Sequence, residues 1–226
     1  MLGSMAAATS LIHIDGDRLD IPRSAFEHDG FRAWLKSDDF PDGVRATYVL
    51  GEVFCEMSPE SIETHNKVKA GVTIDLGNLV RAEALGEIFL DGVLLTHEGA
   101  GLSTEPDLIF ATWDAFTSGR LRMVEKRNRE GDYIELVGTP DLVVEIVSDS
   151  SVRKDLVALR SAYFKAEIPE YWLVDARGDD VRFEILARTP EGYVARATSV
   201  VFGRSFRLER VKNRAGRWDY RLISAS

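Results

Sequence analysis

The chain has 226 residues, 45% apolar and 29% charged, the make-up of a globular fold with enough length for one substantial core. No apolar run approaches the roughly 20 residues that a membrane-crossing helix needs, and the single cysteine, Cys55, excludes an intrachain disulfide or a cysteine-rich zinc site. A net charge of −9 argues against bulk attraction to nucleic acid. The first ten residues lack the basic region and apolar run of a secretory signal, so the expected setting is cytoplasmic and reducing, with no membrane contact.

In chain order, Leu11–Ile14 reads as a short strand and Ser24–Lys36 as an amphipathic helix that stops at the Asp38-Asp39-Phe40-Pro41 turn cluster. Residues 1–43 are thus expected to form an extension with a short strand and helix, and 44–226 the main domain. Arg45–Met57 alternates and predicts one strand or a tight pair, with Cys55 as a small buried hydrophobe. Ser58-Pro59-Glu60 has the order of a helix start: hydroxyl cap, proline, acid. That helix is expected to run to about Ala84, with Ile62, His65, Val68, Val72, Leu76 and Leu79 on one apolar face. His65 therefore points at the sheet, a position where a histidine is more often a hydrogen-bonded core residue than a ligand.

Strands follow at Gly86–Leu90, Gly92–His97 and Leu108–Ala111, then a hairpin through Glu130-Gly131-Asp132. Leu142–Val147 is a buried strand with a carboxylate, Glu145, inside it. Burying that charge costs several kcal/mol unless a cation or metal answers it. A second helix is expected over Asp155–Ala166, a strand over Ile168–Arg177 with Tyr171-Trp172 as core, a hairpin at Arg177–Asp180 and β-rich sequence to the end. This order fits an α/β or α+β fold in which helices flank a mixed sheet.

Two Pro-Asp dipeptides, Pro106-Asp107 and Pro140-Asp141, each open an apolar strand. Proline belongs at the first strand position, which puts each aspartate at a strand mouth. Adjacent strands so marked can bring Asp107 and Glu145 together, and paired carboxylates with a backbone carbonyl suit Mg²⁺. Asp141 is either a supporting partner or a cap. Basic residues cluster at Arg120, Arg122, Lys126, Arg127 and Arg129, and again at Arg204, Arg207, Arg210, Lys212, Arg214, Arg217 and Arg221; each cluster reads first as a solvated hairpin face.

Residues 139–175, with Thr139-Pro140-Asp141-Leu142-Val143-Val144-Glu145, Lys154-Asp155, Tyr163 and Ile168-Pro169-Glu170-Tyr171-Trp172-Leu173-Val174-Asp175, resemble the signature of the Uma2 family, formerly DUF820. Gly51-Glu52-Val53, Met57-Ser58-Pro59, His65 and Pro106-Asp107 resemble its earlier part in the same order, so the likeness covers about residues 44–190. The family is assigned to the PD-(D/E)XK restriction-endonuclease-like superfamily. The resemblance implies a mixed sheet with flanking helices and a metal-dependent nuclease site acting on DNA or RNA. Asp107 and Glu145 would be ligands of Mg²⁺ or Mn²⁺, and Glu52 an accessory acid. The superfamily lysine two positions after the second acid is Val147 here, and the Lys-Leu pair common in related helices is Leu159-Arg160. Lys154 and Arg160 are therefore the candidate cations. A homodimer is expected. The competing reading is an inactive nuclease fold that binds nucleic acid or a partner protein; a purely structural, self-associating domain is a third.

Overall fold

The computed structural model describes residues 9–14, 17–41, 43–56, 59–126 and 129–225, with side chains from residue 19 onward. Met57, Ser58 and Arg127 lie outside these ranges, so the expected Ser58 cap and one member of the first basic cluster are not described. The chain begins with β1 (Thr9–Ile14), β2 (Asp17–Pro22), α1 (His28–Leu35), β3 (Arg45–Val49) and β4 (Glu52–Glu56). It continues through α2 (Lys67–Ala82), β5 (Gly86–Leu90), β6 (Leu94–His97), β7 (Leu102–Thr104), β8 (Leu108–Thr112) and α3 (Trp113–Thr117). Next come β9 (Leu121–Glu125), β10 (Tyr133–Gly138), β11 (Leu142–Ile146), α4 (Arg160–Lys165), β12 (Glu170–Asp175), β13 (Arg182–Thr189), β14 (Gly192–Arg196), β15 (Ser205–Lys212) and β16 (Trp218–Ala225).

The expected mixed sheet is present, and a second faces it. One has strand order β4-β3-β7-β6-β10-β9, the other β14-β13-β12-β11-β8-β5. Only residues 91–93 separate β5 from β6, yet these strands lie in different sheets, so the short link carries the chain across the fold. Arg45–Glu56 resolves as the tight pair, turning at Leu50 and Gly51, both at positive φ (53° and 92°). Glycine takes this conformation without strain, leucine at a cost.

Alternation along the second sheet sorts its side chains onto two faces. Ile109, Ala111, Val143, Tyr171 and Leu173 meet Leu95, Leu102 and Leu136 of the first sheet, together with Leu159, Ala162 and Tyr163 from the α4 segment. On the opposite face Leu108, Phe110, Val144, Ile146, Trp172 and Val174 pack under α2 and the β15–β16 hairpin. Tyr171 and Trp172 are thus both core, on opposite sides. α1 docks on the first sheet through Arg32 and Lys36, whose cations meet the buried Glu135 carboxylate.

α2 and β16 approach closely at Gly71, where a Cβ would stand 2.4 Å from the Tyr220 carbonyl oxygen. The helix also supplies acceptors to backbone donors of β16: Glu63 to Trp218 N–H at 3.0 Å and Asp75 to Leu222 N–H at 2.8 Å.

The helix start differs from expectation. Ser61 is the cap, its hydroxyl accepting Thr64 N–H at 3.3 Å, and Pro59 and Glu60 precede the helix. The first turn is wide: Asn66 N–H reaches Ser61 O, five residues back, at 2.9 Å. This shift leaves Ile62 68% exposed while His65, Val68, Val72 and Leu76 are buried. A second wide turn, Lys154–Leu159, opens the helix that continues as α4. Such π-type turns often accompany functional sites, and here they carry His65 in one case and Lys154 and Asp155 in the other.

Candidate functional site

β8 and β11 run antiparallel, with Leu142 opposite Phe110 and Val144 opposite Leu108. Continuing that register by one pair sets Glu145 opposite Asp107, as the two marked strands suggested. The Asp107 Oδ2 accepts Ile146 N–H at 2.7 Å, which fixes the carboxylate at the end of the strand pair. Antiparallel pairing also separates the two Pro-Asp dipeptides to opposite ends of the same strands. At the far end Asp141 accepts Thr112 N–H at 2.7 Å, the Thr112 hydroxyl at 2.9 Å and the Arg120 guanidinium at 2.6 Å. It is a local cap, away from the pocket.

The pocket at the Asp107–Glu145 end has a volume of about 300 Å³ and is lined by His65, Asp107, Glu145, Lys154, Asp155 and Arg177, among others. Three of its acids are nearly sealed from solvent: Asp107 at 7%, Glu145 at 3% and Asp155 at 1% exposure. Burial raises Glu145 well above the ordinary carboxylate range, and the neighbouring Asp155 and Asp107 charges push in the same direction. Its Oε1 accepts the Tyr163 hydroxyl at 2.5 Å. Asp155 is pushed up to about 7, chiefly by burial, which outweighs Lys154 and the Ser151 hydroxyl that donates to its Oδ2. Asp155 Oδ1 is buried without a hydrogen-bond partner.

Asp107 behaves in the opposite way. Burial alone would raise it, but His65 and Lys69 outweigh burial and hold it at about 2. Lys69 Nζ stands 2.9 Å from Oδ1 and His65 Nε2 3.4 Å from Oδ2. Burial would lower His65, yet its bond to Asp107 leaves it raised and hence more cationic. Lys69 also pairs with Glu60 at 3.0 Å and Asp91 at 3.1 Å.

Lys154 is the cation on the other side. Its Nζ pairs with Glu56 at 2.8 Å and lies 3.7 Å from Asp155 Oδ1. Desolvation would lower it, but Asp155, Glu145 and Glu56 together raise it, so it stays charged.

Of the residues expected from sequence, Asp107, Glu145 and Lys154 line the one pocket. Glu52 and Arg160 do not, and the correction has a physical cause in each case. Glu52 sits at the β3–β4 turn, exposed and paired with Arg153 at 2.9 Å; the acid that β4 gives to the pocket is Glu56, at the strand's other end. Arg160 turns away and donates to the Tyr193 carbonyl at 2.9 Å. His65 combines both alternatives, since it is buried and bonded but its partner is Asp107. Lys69, Asp155 and Tyr163 were missed as site residues. Lys69 had a visible signal, a cation four residues after His65 on the same apolar face.

Two carboxylate arrangements could hold a divalent ion. Glu60, His65 and Asp107 each offer a ligand atom, the three lying within 4.8 Å of one another. That set requires His65 to be neutral, which its bond to Asp107 opposes. The pair Asp107 and Glu145, beside Asp155, offers an oxygen-only set, the donor chemistry that Mg²⁺ prefers once Glu145 is deprotonated.

The model of the Uma2 family, described as "Putative restriction endonuclease", matches residues 29–211. The chain belongs to the Uma2 family. Among solved structures it is similar to a "putative nuclease belonging to DUF820" from Anabaena variabilis ATCC 29413, at 16% identity and a TM-score of 0.44, covering 66% of this chain and 86% of that one. No curated protein matches. In this Uma2 chain Val147 and Leu159 are both fully buried in the core between the sheets.

Proposed function

We propose that this Uma2 protein is a metal-dependent nuclease whose reaction centre is the Asp107–Glu145 end of the β8–β11 pair, with Lys154 as its cation. The supporting observation is the meeting, in one pocket, of two carboxylates from adjacent strands and a partly buried ammonium held by Glu56. A divalent cation, Mg²⁺ or Mn²⁺, supplies when bound an acidified water and positive charge at the phosphate. Asp107 and Glu145 would hold it, near Asp155 Oδ1, which has no hydrogen-bond partner among the described residues. Ile146 N–H and Lys69 fix the orientation of Asp107, and the Tyr163 hydroxyl fixes that of Glu145. Lys154 stays charged because three acids surround it, and it offers a proton donor to an anionic phosphate oxygen as charge builds there.

The test is cleavage of a mixed DNA and RNA panel with Mg²⁺ or Mn²⁺, comparing wild type with Glu145→Ala. Metal-dependent cutting that disappears in the variant supports the reading. A second reading, an inactive nuclease fold that binds nucleic acid, is favoured by the cations already committed to Asp107, Lys69 and His65. A folded wild type that cuts nothing would move the conclusion there.

A further inference from the structure

The family match ends at residue 211, and the tip and return strand of the β15–β16 hairpin lie beyond it. From this segment we infer a polynucleotide-backbone binding surface, formed by Lys212, Arg214 and Arg217 at the hairpin tip, beside the mouth of the Asp107–Glu145 pocket. The inference rests on the nuclease reading for its substrate class.

Position is the first ground. Trp218, where the hairpin returns, donates its backbone N–H to Glu63 at 3.0 Å and accepts from Lys67 Nζ at 2.6 Å. Glu63 lies in the same wide turn as Thr64 and His65, which line the pocket. On the other side Arg210 donates to the Gly178 carbonyl at 3.0 Å, next to the pocket residue Arg177. The hairpin end is thereby tied to two elements of the pocket rim.

Charge is the second ground. The chain carries −9 overall, and two basic residues at the start of the hairpin are neutralised, Arg204 by Glu83 at 2.9 Å and Arg207 by Glu209 at 2.8 Å. Lys212, Arg214 and Arg217 are exposed and form no ion pair among the described residues. Cross-strand alternation puts Arg210, Lys212 and Trp218 on the face that buries Phe206, Tyr220 and Leu222 further along. Lys212 Nζ lies 3.3 Å and Arg210 Cζ 4.5 Å from the Trp218 ring centroid. Stacking of this kind restrains flexible cations while leaving their charge uncompensated. Lys212 is restrained in this way, and exposed cations without an ion pair gain most from a partner that brings its own negative charges in a row, as a sugar-phosphate backbone does.

The experiment is anisotropy titration of labelled duplex DNA, single-stranded DNA and RNA in Ca²⁺, over a series of salt concentrations. The proteins are wild type, Lys212→Glu/Arg214→Glu/Arg217→Glu and the milder triple glutamine variant. Circular dichroism establishes folding, and the glutamine variant carries the test should charge reversal unfold the hairpin. Either triple variant is expected to weaken binding at least about tenfold and to lower the magnitude of the salt slope by about 2 to 3, close to 0.9 for each lost phosphate contact. The three probes distinguish which polynucleotide the surface prefers. Unchanged affinity and slope in both folded triple variants would overturn the inference, as would a wild type that binds none of the probes. Binding lost with the hairpin charges, in a protein that cuts nothing, would support this surface while overturning the nuclease reading.

Discussion

The two ends of the β8–β11 strand pair start from the same dipeptide and finish in opposite electrostatic states. At one end Asp141 receives three donors, including Arg120, and its charge is answered. At the other, Glu145 and Asp155 are buried beside Asp107, and both are driven toward protonation, by burial first and by neighbouring acids in addition. Both Pro-Asp aspartates are answered by donors, but Asp107, held charged by His65 and Lys69, stands beside two acids that are driven toward protonation, whereas Asp141 has no such neighbours in its cap among the described residues. Strand direction separates the two, since antiparallel pairing cannot bring both dipeptides to one end.

The sharpest way to break this comparison is Glu145→Ala. Cleavage is expected to fall at least about 100-fold, on the scale of losing a preorganised transition-state contact, while thermal stability in metal-free buffer stays level or rises because a strained buried carboxyl has been removed. A large drop in melting temperature with activity retained would mean that the charged end is structural after all. Lys154→Met should follow, with cleavage lowered about 10- to 100-fold and Lys154→Arg restoring part of it in steady-state assays. Asp141→Ala should show the mirror pattern. It leaves Thr112 N–H and Arg120 without their acceptor and is expected to cost about 1–3 kcal/mol in urea unfolding, with the rate per folded molecule unchanged.

The smallest effect is in the pH profile of the metal-free protein. Asp155 titrates at about 7 when folded against an ordinary 3.8. The folded state therefore keeps a proton that the unfolded chain has released, and stability falls as pH rises from about 4 to 7, then levels off. Glu145 acts in the same sense. Asp107, held at about 2, contributes stability above pH 4 that is lost only as pH falls toward 2. Urea midpoints measured in EDTA across pH 4.5–7.5 should slope downward, and Asp155→Asn should flatten the slope. An unchanged slope in that variant would show that the strain lies elsewhere.

Much of the charged end was legible in the sequence. A carboxylate inside a β-branched run and a proline-led aspartate are local patterns, and a strand has few ways to arrange them. Lys154 was legible as one of two candidate cations only through the family resemblance, which puts the cation missing at Val147 on the following helix. The remainder depended on contacts between distant elements. Lys69 and Asp107 meet only because α2 begins over the end of β8, and Tyr163 reaches Glu145 only because the α4 segment packs between the sheets. Glu52 and Glu56 share one face of one strand, and nothing in their spacing says which end of β4 reaches the pocket. The second sheet was hidden for a similar reason, since the link of residues 91–93 between β5 and β6 looks the same whether it joins neighbours or crosses the fold.

The close approach of β16 to α2 at Gly71 bears on how the protein is made. During synthesis the residues that line the pocket, from Arg45 to Arg177, leave the ribosome before Tyr220 and Leu222 do. Yet the outer face of the helix following His65 is covered by those last residues, and Glu63 and Asp75 find their backbone donors there. The helix that carries His65 into the pocket is therefore covered only by residues that follow every pocket residue in the chain.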